Sequence, residues 1–316
     1  MDLELSDDQV ALRDGLAHLL CDRFDSERIR AGFDREMWDE LDAAGVIGLR
    51  RDGFGWADAT VVFECLGTAA VPGPLVAGTV LGDPELGLAD RWAGGVVGIL
   101  ERPGPGEPAM VEHLGSLDAL VVLDADGVAV VDPAELDGVA TGWPLDPLTP
   151  VHQVDVVPTG ERLGDTALAA ALAERGAVLT AAFQLGMAQR LTDMAVAYAS
   201  EREQFGRPIG SFQAIKHVLA DMLVRTEVAR AAVYAAGVHL DEDHGPRDRS
   251  RAVSGAKALA GEAAIANGRA ATQVFGGMGF TWEVDVHLYL KRAWVLDTHF
   301  GSAAVHEERL ADLVGG

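Results

Sequence analysis

The stretch that most constrains how this 316-residue chain can fold is Tyr198–Asp221, YASEREQFGRPIGSFQAIKHVLAD. It joins two long helical segments through a short connection centred on Gly206, Pro208 and Gly210. The first segment ends in Glu201, Arg202, Glu203, Gln204 and Phe205. The second carries apolar Phe212, Ile215, Leu219 and Met222, a 3-4-3 spacing that buries one face of a helix. Ser211 is the expected N-cap, with Gln213 and Lys216 in the first turns. An Arg at a helix end beside a glycine-rich turn suits an anion, because guanidinium and free backbone N–H groups converge there. The same residues also suit an ordinary helical hairpin with a solvated Arg. Taken alone, the stretch leaves both readings open.

Helices flank this connection on both sides. The patterning predicts spans over 165–203, 211–240, 250–273 and 283–313, the last broken near Gly301. Long helices with short connections predict an antiparallel bundle. Towards the N-terminus, residues 6–22 read as an amphipathic helix with Ser6 as cap and Asp7 and Asp8 in its first turn. A second helix contains Trp38 and Leu41 and stops at Gly45. A third runs from Ala57 to Leu66. Val71-Pro-Gly-Pro-Leu75 is a breaker cluster that opens a short apolar helix. From Gly94 the signal changes to short β-branched runs, Gly95–Leu100, Ala119–Leu123, Gly127–Val131 and Val151–Val157, which predict a small antiparallel β domain. The fold class is therefore mostly α with a small β domain. Its expected parts are an N-terminal helical domain over 1–89, a shortened β domain over 90–162 and a C-terminal four-helix bundle over 163–316.

Composition narrows the partners. A formal charge of −24 argues against nucleic acid and anionic membrane surfaces. No basic-apolar leader opens the chain, and no long uncharged apolar run predicts a membrane span. Cys21 and Cys65 are too few for a metal cluster and read as reduced core residues of a cytoplasmic protein.

A second stretch, Gln273-Val-Phe-Gly-Gly-Met-Gly-Phe280, adds to the first. Together the two resemble the acyl-CoA dehydrogenase family, which joins two bundle helices through Arg-x-x-Phe-Gly-x-Pro-Ile and follows with Gln-x-x-Gly-Gly-x-Gly. The resemblance spans Ala177–Leu310 and, more loosely, the N-terminal helices. It implies desaturation of an acyl-CoA: a carboxylate takes the α-proton, and FAD, shared between subunits, takes the β-hydride. It also implies that Arg202 pairs with the FAD pyrophosphate and that Gln204, Phe205 and Gln213 line the cofactor. Gln273 would hydrogen-bond near the adenosine end, where Gly276, Gly277 and Gly279 let backbone approach closely. An electron-transfer flavoprotein or similar acceptor is the expected redox partner.

Two departures from the family pattern stand out. Where the family carries Thr-Glu-Pro-x-x-Gly-Ser-Asp and then Trp-Ile-Ser/Thr against the flavin ring, this chain reads Leu100-Glu-Arg-Pro-Gly-Pro-Gly-Glu-Pro108, and Trp143 lies in an unrelated Gly-Trp-Pro turn. The family's base, a Glu in Tyr-Glu-Gly-Thr, aligns with Phe300 of His-Phe-Gly-Ser. An alternative base position on the first bundle helix falls on Gly176, with Glu174 and Arg175 out of register. Asp297, one turn before Phe300, remains as a candidate base, or as a solvated or ion-paired Asp near Lys291 and Arg292. His299 has reach but no obvious orienting partner in the sequence, since Asp297, two residues away, falls on a different helical face, and His217 reads as a surface or interface residue.

Three readings follow. The chain is a subunit of a hetero-oligomeric dehydrogenase that holds the ADP end of FAD while a partner subunit supplies base and ring pocket, as in the two-subunit actinobacterial enzymes of sterol side-chain breakdown. Or it is a self-sufficient homo-oligomer with Asp297 or Glu174 as base. Or it is a cofactor-free scaffold.

Overall fold

The computed structural model describes residues 4–104, 106–242 and 244–315. Contacts group them into two compact units that cut across chain order. One contains the residues up to Glu27, Trp56–Val71 and everything from Ala177. The other contains Arg28–Gly55 and Pro72–Gly176.

The first unit is helical. Its elements are α1 (Asp7–Arg23), α4 (Trp56–Ala69), α6 (Thr166–Glu201, from Ala177 on), α7 (Gln213–Asp241), α8 (Pro246–Phe275), α9 (Val286–Asp297) and α10 (Ala303–Gly315). Ser6 caps α1 as its sequence predicts, in a reciprocal capping box with Gln9. Helix α7 lies along α8, α9 and α10 pack on α8, and α4 packs on α1 and α7. Two glycines set how closely α4 approaches α6. A Cβ on Gly67 would fall 1.9 Å from the Phe183 carbonyl oxygen, and one on Gly186 would fall 1.9 Å from that of Glu64. The backbones therefore meet where no side chain fits.

Many polar groups in this core are matched, although the buried Thr180 hydroxyl and Gln184 amide have no partner among the described residues. Asn267, fully buried on α8, offers its amide nitrogen to Thr226 Oγ1 (3.0 Å), the Met222 carbonyl (3.1 Å) and Thr192 Oγ1 (3.2 Å), which ties α6, α7 and α8 together. Glu64 of α4 pairs with Arg230 and accepts from the Tyr234 hydroxyl at 2.7 Å, and Arg230 also donates to Gln189. Burial beside that carboxylate pushes the Tyr234 phenol well above its usual range. On α9, the Tyr289 hydroxyl donates to the Thr68 carbonyl (2.7 Å) and Arg292 to that of Val71 (3.3 Å), satisfying the C-terminal end of α4. Helix α6 is the one described helix long and apolar enough to cross a membrane, and half of its most apolar window is buried within the protein.

The second unit carries α3 (Arg35–Ala43), α5 (Leu75–Leu81) and seven short strands, with α2 (Ser26–Ala31) at its N-terminal margin. The strands are β1 (Val97–Glu101), β2 (Ala109–Glu112), β3 (Ala119–Asp124), β4 (Gly127–Val131), β5 (Gly138–Ala140), β6 (Val151–Val154) and β7 (Glu161–Gly164). They form two sheets, ordered β1-β3-β4-β7 and β2-β6-β5. Leu100, Leu120, Val122 and Val131 of the first share a core with Ala109, Val111 and Val154 of the second. The domain is not wholly antiparallel as expected, because β1 and β3 pair in parallel. The connection between them spends β2 in the other sheet and is long enough to return in the same direction. Asp83, completely buried, is held by Arg50 (3.2 Å) and Arg175 (3.0 Å).

The cysteines divide. Cys65 is buried and its thiol is pushed up to about 12, but Cys21 is exposed, on the outer side of α1 and not in the core.

Candidate cofactor site

The connection after α6 is a β-hairpin, not an irregular loop. The Arg202 N–H still donates to the Tyr198 carbonyl, closing the helix. Then β8 (Glu203–Gln204) pairs with β9 (Arg207–Pro208), and Ile209 N–H donates to the Arg202 carbonyl at 2.8 Å. The turn is Phe205-Gly206, with φ of 52° and 76°. Positive φ at both central residues is the geometry of a two-residue hairpin turn whose twist matches its strands. Gly206 adopts it freely, whereas Phe205 pays a steric penalty and leaves its ring 92% exposed. Ser211 does not cap α7. Its hydroxyl donates to the Pro208 carbonyl at 2.7 Å, Phe212 occupies the cap position without a side-chain bond, and Gln213 opens the helix, exposed. The Phe212 ring meets Phe205 edge-on (6.1 Å) and carries the Arg207 guanidinium 4.1 Å above its face.

The second motif closes α8. Gln273 is exposed in the last turn, and the chain leaves through a 3₁₀ turn over Gly276–Phe280. The three glycines have different causes. Gly276 has φ of 62°, a left-handed position. A Cβ on Gly279 would lie 2.8 Å from the Thr272 carbonyl oxygen, so packing excludes one. Gly277 has neither constraint: φ is not positive and nothing lies within 4 Å.

Tyr198 and Phe275 bring the two motifs together. Their rings stack at 4.2 Å and 14°, joining the last turn of α6 to the last turn of α8. Arg202 and Gln273 thus sit at one end of the bundle. Among the described residues, the side chains of Arg202, Gln204, Arg207, Gln213 and Gln273 hold no hydrogen bond or ion pair, although the chain has 49 acidic residues against 25 Lys and Arg. This end offers two guanidinium groups, three amides and open glycine backbone to an anionic ligand, and a diphosphate with its attached ring system fits those donors.

The region of the expected base is constructed differently. Phe300 is 7% exposed with φ of 54°, its carbonyl accepting from His306 Nε2 at 2.9 Å. Ser254 Oγ lies 3.1 Å from His306 Nδ1, so the ring stays neutral with Nδ1 accepting. Burial lowers the His306 pKa to about 4. Asp297, half-buried at the end of α9, accepts from Ala303 N–H at 3.2 Å and so holds the start of α10. Its carbonyl and that of Leu296 accept from the wholly buried Lys257 ammonium at 3.1 and 3.2 Å. A helix-capping carboxylate, rather than a free base, is what this geometry provides. Lys257 had no sequence signal beyond a single cation in an apolar stretch.

In the other unit, Glu174 is half-buried on α6 and Gly176 buried, while Arg175 is bound to Asp83 and to Glu85 (3.2 Å). In the segment expected against a flavin ring, Arg102 donates to the Val157 and Pro158 carbonyls, both at 2.8 Å. Pro105 of that segment lies outside the described residues. Trp143 is 96% exposed, and His217 is exposed on α7.

Residues 166–314 match the model of the acyl-CoA dehydrogenase C-terminal domain. Over 311 residues the chain is 33% identical to the acyl-CoA dehydrogenase IpdE2 of Mycobacterium tuberculosis, with 91% of each covered. Among solved structures, the ChsE4–ChsE5 complex from Mycobacterium tuberculosis superposes with a TM-score of 0.82 at 24% identity, covering 100% of this chain and 99% of that one. The Tcur3481–Tcur3483 steroid ACAD variant superposes with a TM-score of 0.80 at 23% identity, covering 98% of each.

Proposed function

This chain belongs to the acyl-CoA dehydrogenase family, and from that premise we propose that it is one subunit of a hetero-oligomeric, FAD-dependent acyl-CoA dehydrogenase. In this reading Arg202, Gln204, Phe205, Gln213, Gln273 and the Gly276–Gly279 turn hold the ADP end of FAD, and a partner subunit supplies the catalytic carboxylate and the flavin-ring pocket. FAD, when bound, supplies the two-electron oxidant for α,β-desaturation. The chain's own contribution is binding and orientation: guanidinium to diphosphate, amides to the adenosine end, glycine backbone against its face.

One contrast carries the proposal. Among the described residues the polar side chains at the hairpin end make no hydrogen bond or ion pair, while the expected base position is a buried phenylalanine whose carbonyl accepts from His306. Phenylalanine accepts no proton, so abstraction must fall to a carboxylate elsewhere. The heteromeric ChsE4–ChsE5 neighbour supports a second subunit of the same fold, and the steroid ACAD neighbour supports a steroid-derived acyl-CoA as substrate. An electron-transfer flavoprotein or similar acceptor would reoxidise the cofactor.

The test is the flavin absorbance spectrum of the chain purified alone and after co-expression with a partner dehydrogenase subunit. Flavin bands only in the co-purified complex are expected. Stoichiometric flavin and turnover in the lone chain would overturn the proposal and move the base to Asp297 or Glu174. Flavin in neither sample would leave a cofactor-free scaffold.

A further inference from the structure

We infer that Arg207 is a second anion-binding guanidinium, which with Arg202 grips the two phosphates of a dinucleotide diphosphate. The inference rests on the reading that the ADP end of FAD lies at this hairpin, and it adds a residue that the family motif does not bring in. With Phe205-Gly206 as the turn, Gln204 pairs with Arg207, Glu203 with Pro208, and Ile209 N–H donates to the Arg202 carbonyl. Side chains alternate along a strand and directly paired residues share a face. Gln204 and Arg207 therefore lie on one face of the hairpin and Glu203 on the other, while Arg202 closes α6 just before β8.

Several exposed arginines in this acidic chain find carboxylates, Arg35 with Asp118 at 2.7 Å, Arg91 with Glu161 at 2.6 Å and Arg162 with Asp124 at 2.9 Å, whereas exposed Arg269 and Arg309 do not among the described residues. Arg202 and Arg207 pair with none among the described residues, although Glu201 and Glu203 flank Arg202 in sequence. Two exposed guanidinium groups on one hairpin, with the Glu203 carboxylate turned away from the Arg207 face, suit a multiply charged anion. Arg207 is also restrained. Its guanidinium lies 4.1 Å over Phe212, whose π-face holds it at the surface, where a bidentate contact to an anion can form. Lys would keep the charge but lose both the stacking plane and the fork. The strained Phe205, whose ring braces Phe212 edge-on, completes the support.

The test uses the co-expressed complex stripped of flavin, titrated with FAD, ADP and AMP, for the parent, Arg207→Ala, Arg207→Lys and Arg202→Ala. One charge-assisted bidentate contact implies that Arg207→Ala weakens FAD and ADP by about 10- to 100-fold. The ADP-to-AMP affinity ratio should fall towards one, because only ADP presents the second phosphate. Arg207→Lys should lie between, and the gap between parent and Arg207→Ala should narrow as salt is raised. The thermal midpoint without ligand should not move, since the side chain is exposed. Unchanged FAD and ADP affinity in Arg207→Ala, alongside a loss in Arg202→Ala, overturns the role of Arg207 and leaves the shared-cofactor reading standing. So does an equal loss for AMP and ADP, which would indicate general disruption of the hairpin. A parent complex that binds no FAD overturns the shared-cofactor reading itself, and with it this inference.

Discussion

The helical unit contains two polar regions at helix ends, and they are opposites. At the hairpin end, Arg202, Gln204, Arg207 and Gln273 are exposed and, among the described residues, make no side-chain hydrogen bond or ion pair. At the α9–α10 corner, Lys257, His306, Ser254 and Asp297 are packed inward, with carbonyls, a hydroxyl and a backbone N–H as internal partners. Both regions are rich in the groups that enzymes use. The difference teaches that the inventory of such groups says little about function until their hydrogen bonds are counted. A donor already satisfied by the chain serves the fold, and one left over serves something else.

The sharpest way to break this contrast is to put back the carboxylate that the family pattern expects. Phe300→Glu places an acid at a buried position that now holds an apolar ring, which should cost about 3–5 kcal/mol. The urea midpoint should fall accordingly, and no turnover should appear in the lone chain. A variant that keeps the parent midpoint would mean that the corner is open to solvent or substrate, and the two regions would no longer differ in kind.

Next in size is a pH effect confined to the closed corner. The folded His306 pKa is depressed to about 4, against an ordinary value near 6.5, because burial disfavours the imidazolium. Between those two values the unfolded chain binds a proton that the folded chain refuses, so stability rises with pH across this window. On acidification the loss begins near 6.5 and levels off below 4, amounting to about 3 kcal/mol at most. Urea titrations at stepped pH should show this slope in the parent and lose it in His306→Gln. An identical slope in both proteins would assign the effect to other groups.

The open end should respond in the reverse manner. Arg202→Ala removes a group with no internal partner, so stability should stay within about 0.5 kcal/mol. FAD retention in the co-purified complex should fall by about 10- to 100-fold. A large drop in thermal midpoint, with FAD affinity unchanged, would make Arg202 a structural residue like Lys257.

Legibility in the sequence followed the same divide. The long helices were readable because their apolar spacing persists over many turns: 211–240 was expected and Gln213–Asp241 is observed, and 165–203 became Thr166–Glu201. Strands β3 and β4 were readable as β-branched runs. Strand β7, Glu-Arg-Leu-Gly, was not, since its strand character comes only from pairing with β4. The parallel pairing of β1 and β3 depends on where β2 goes, a tertiary fact with no local trace. Ser211 looked like a cap because its type suits one, but its hydroxyl is spent on Pro208. At the site, the motifs showed which residues cluster, yet not that Phe205-Gly206 makes a hairpin turn. That turn usually announces itself as Asn-Gly, and here a phenylalanine stands in the strained position.

That phenylalanine supplies the smallest and most discriminating prediction. A residue held at φ of 52° should be replaceable by Asn with a gain, because Asn tolerates the left-handed region and the ring of Phe205 is 92% exposed. Phe205→Asn should stabilise the chain by about 0.5–1 kcal/mol, read as a small rise in urea midpoint. The same change removes the edge-on brace on Phe212 and, in the shared-cofactor reading, a wall of the cofactor site, so FAD affinity should fall while stability rises. Stability and binding moving in opposite directions is what separates a residue retained for a ligand from one retained for the fold. If both rise together, the exposed ring has no role at the cofactor, and the open end owes its shape to the arginines alone.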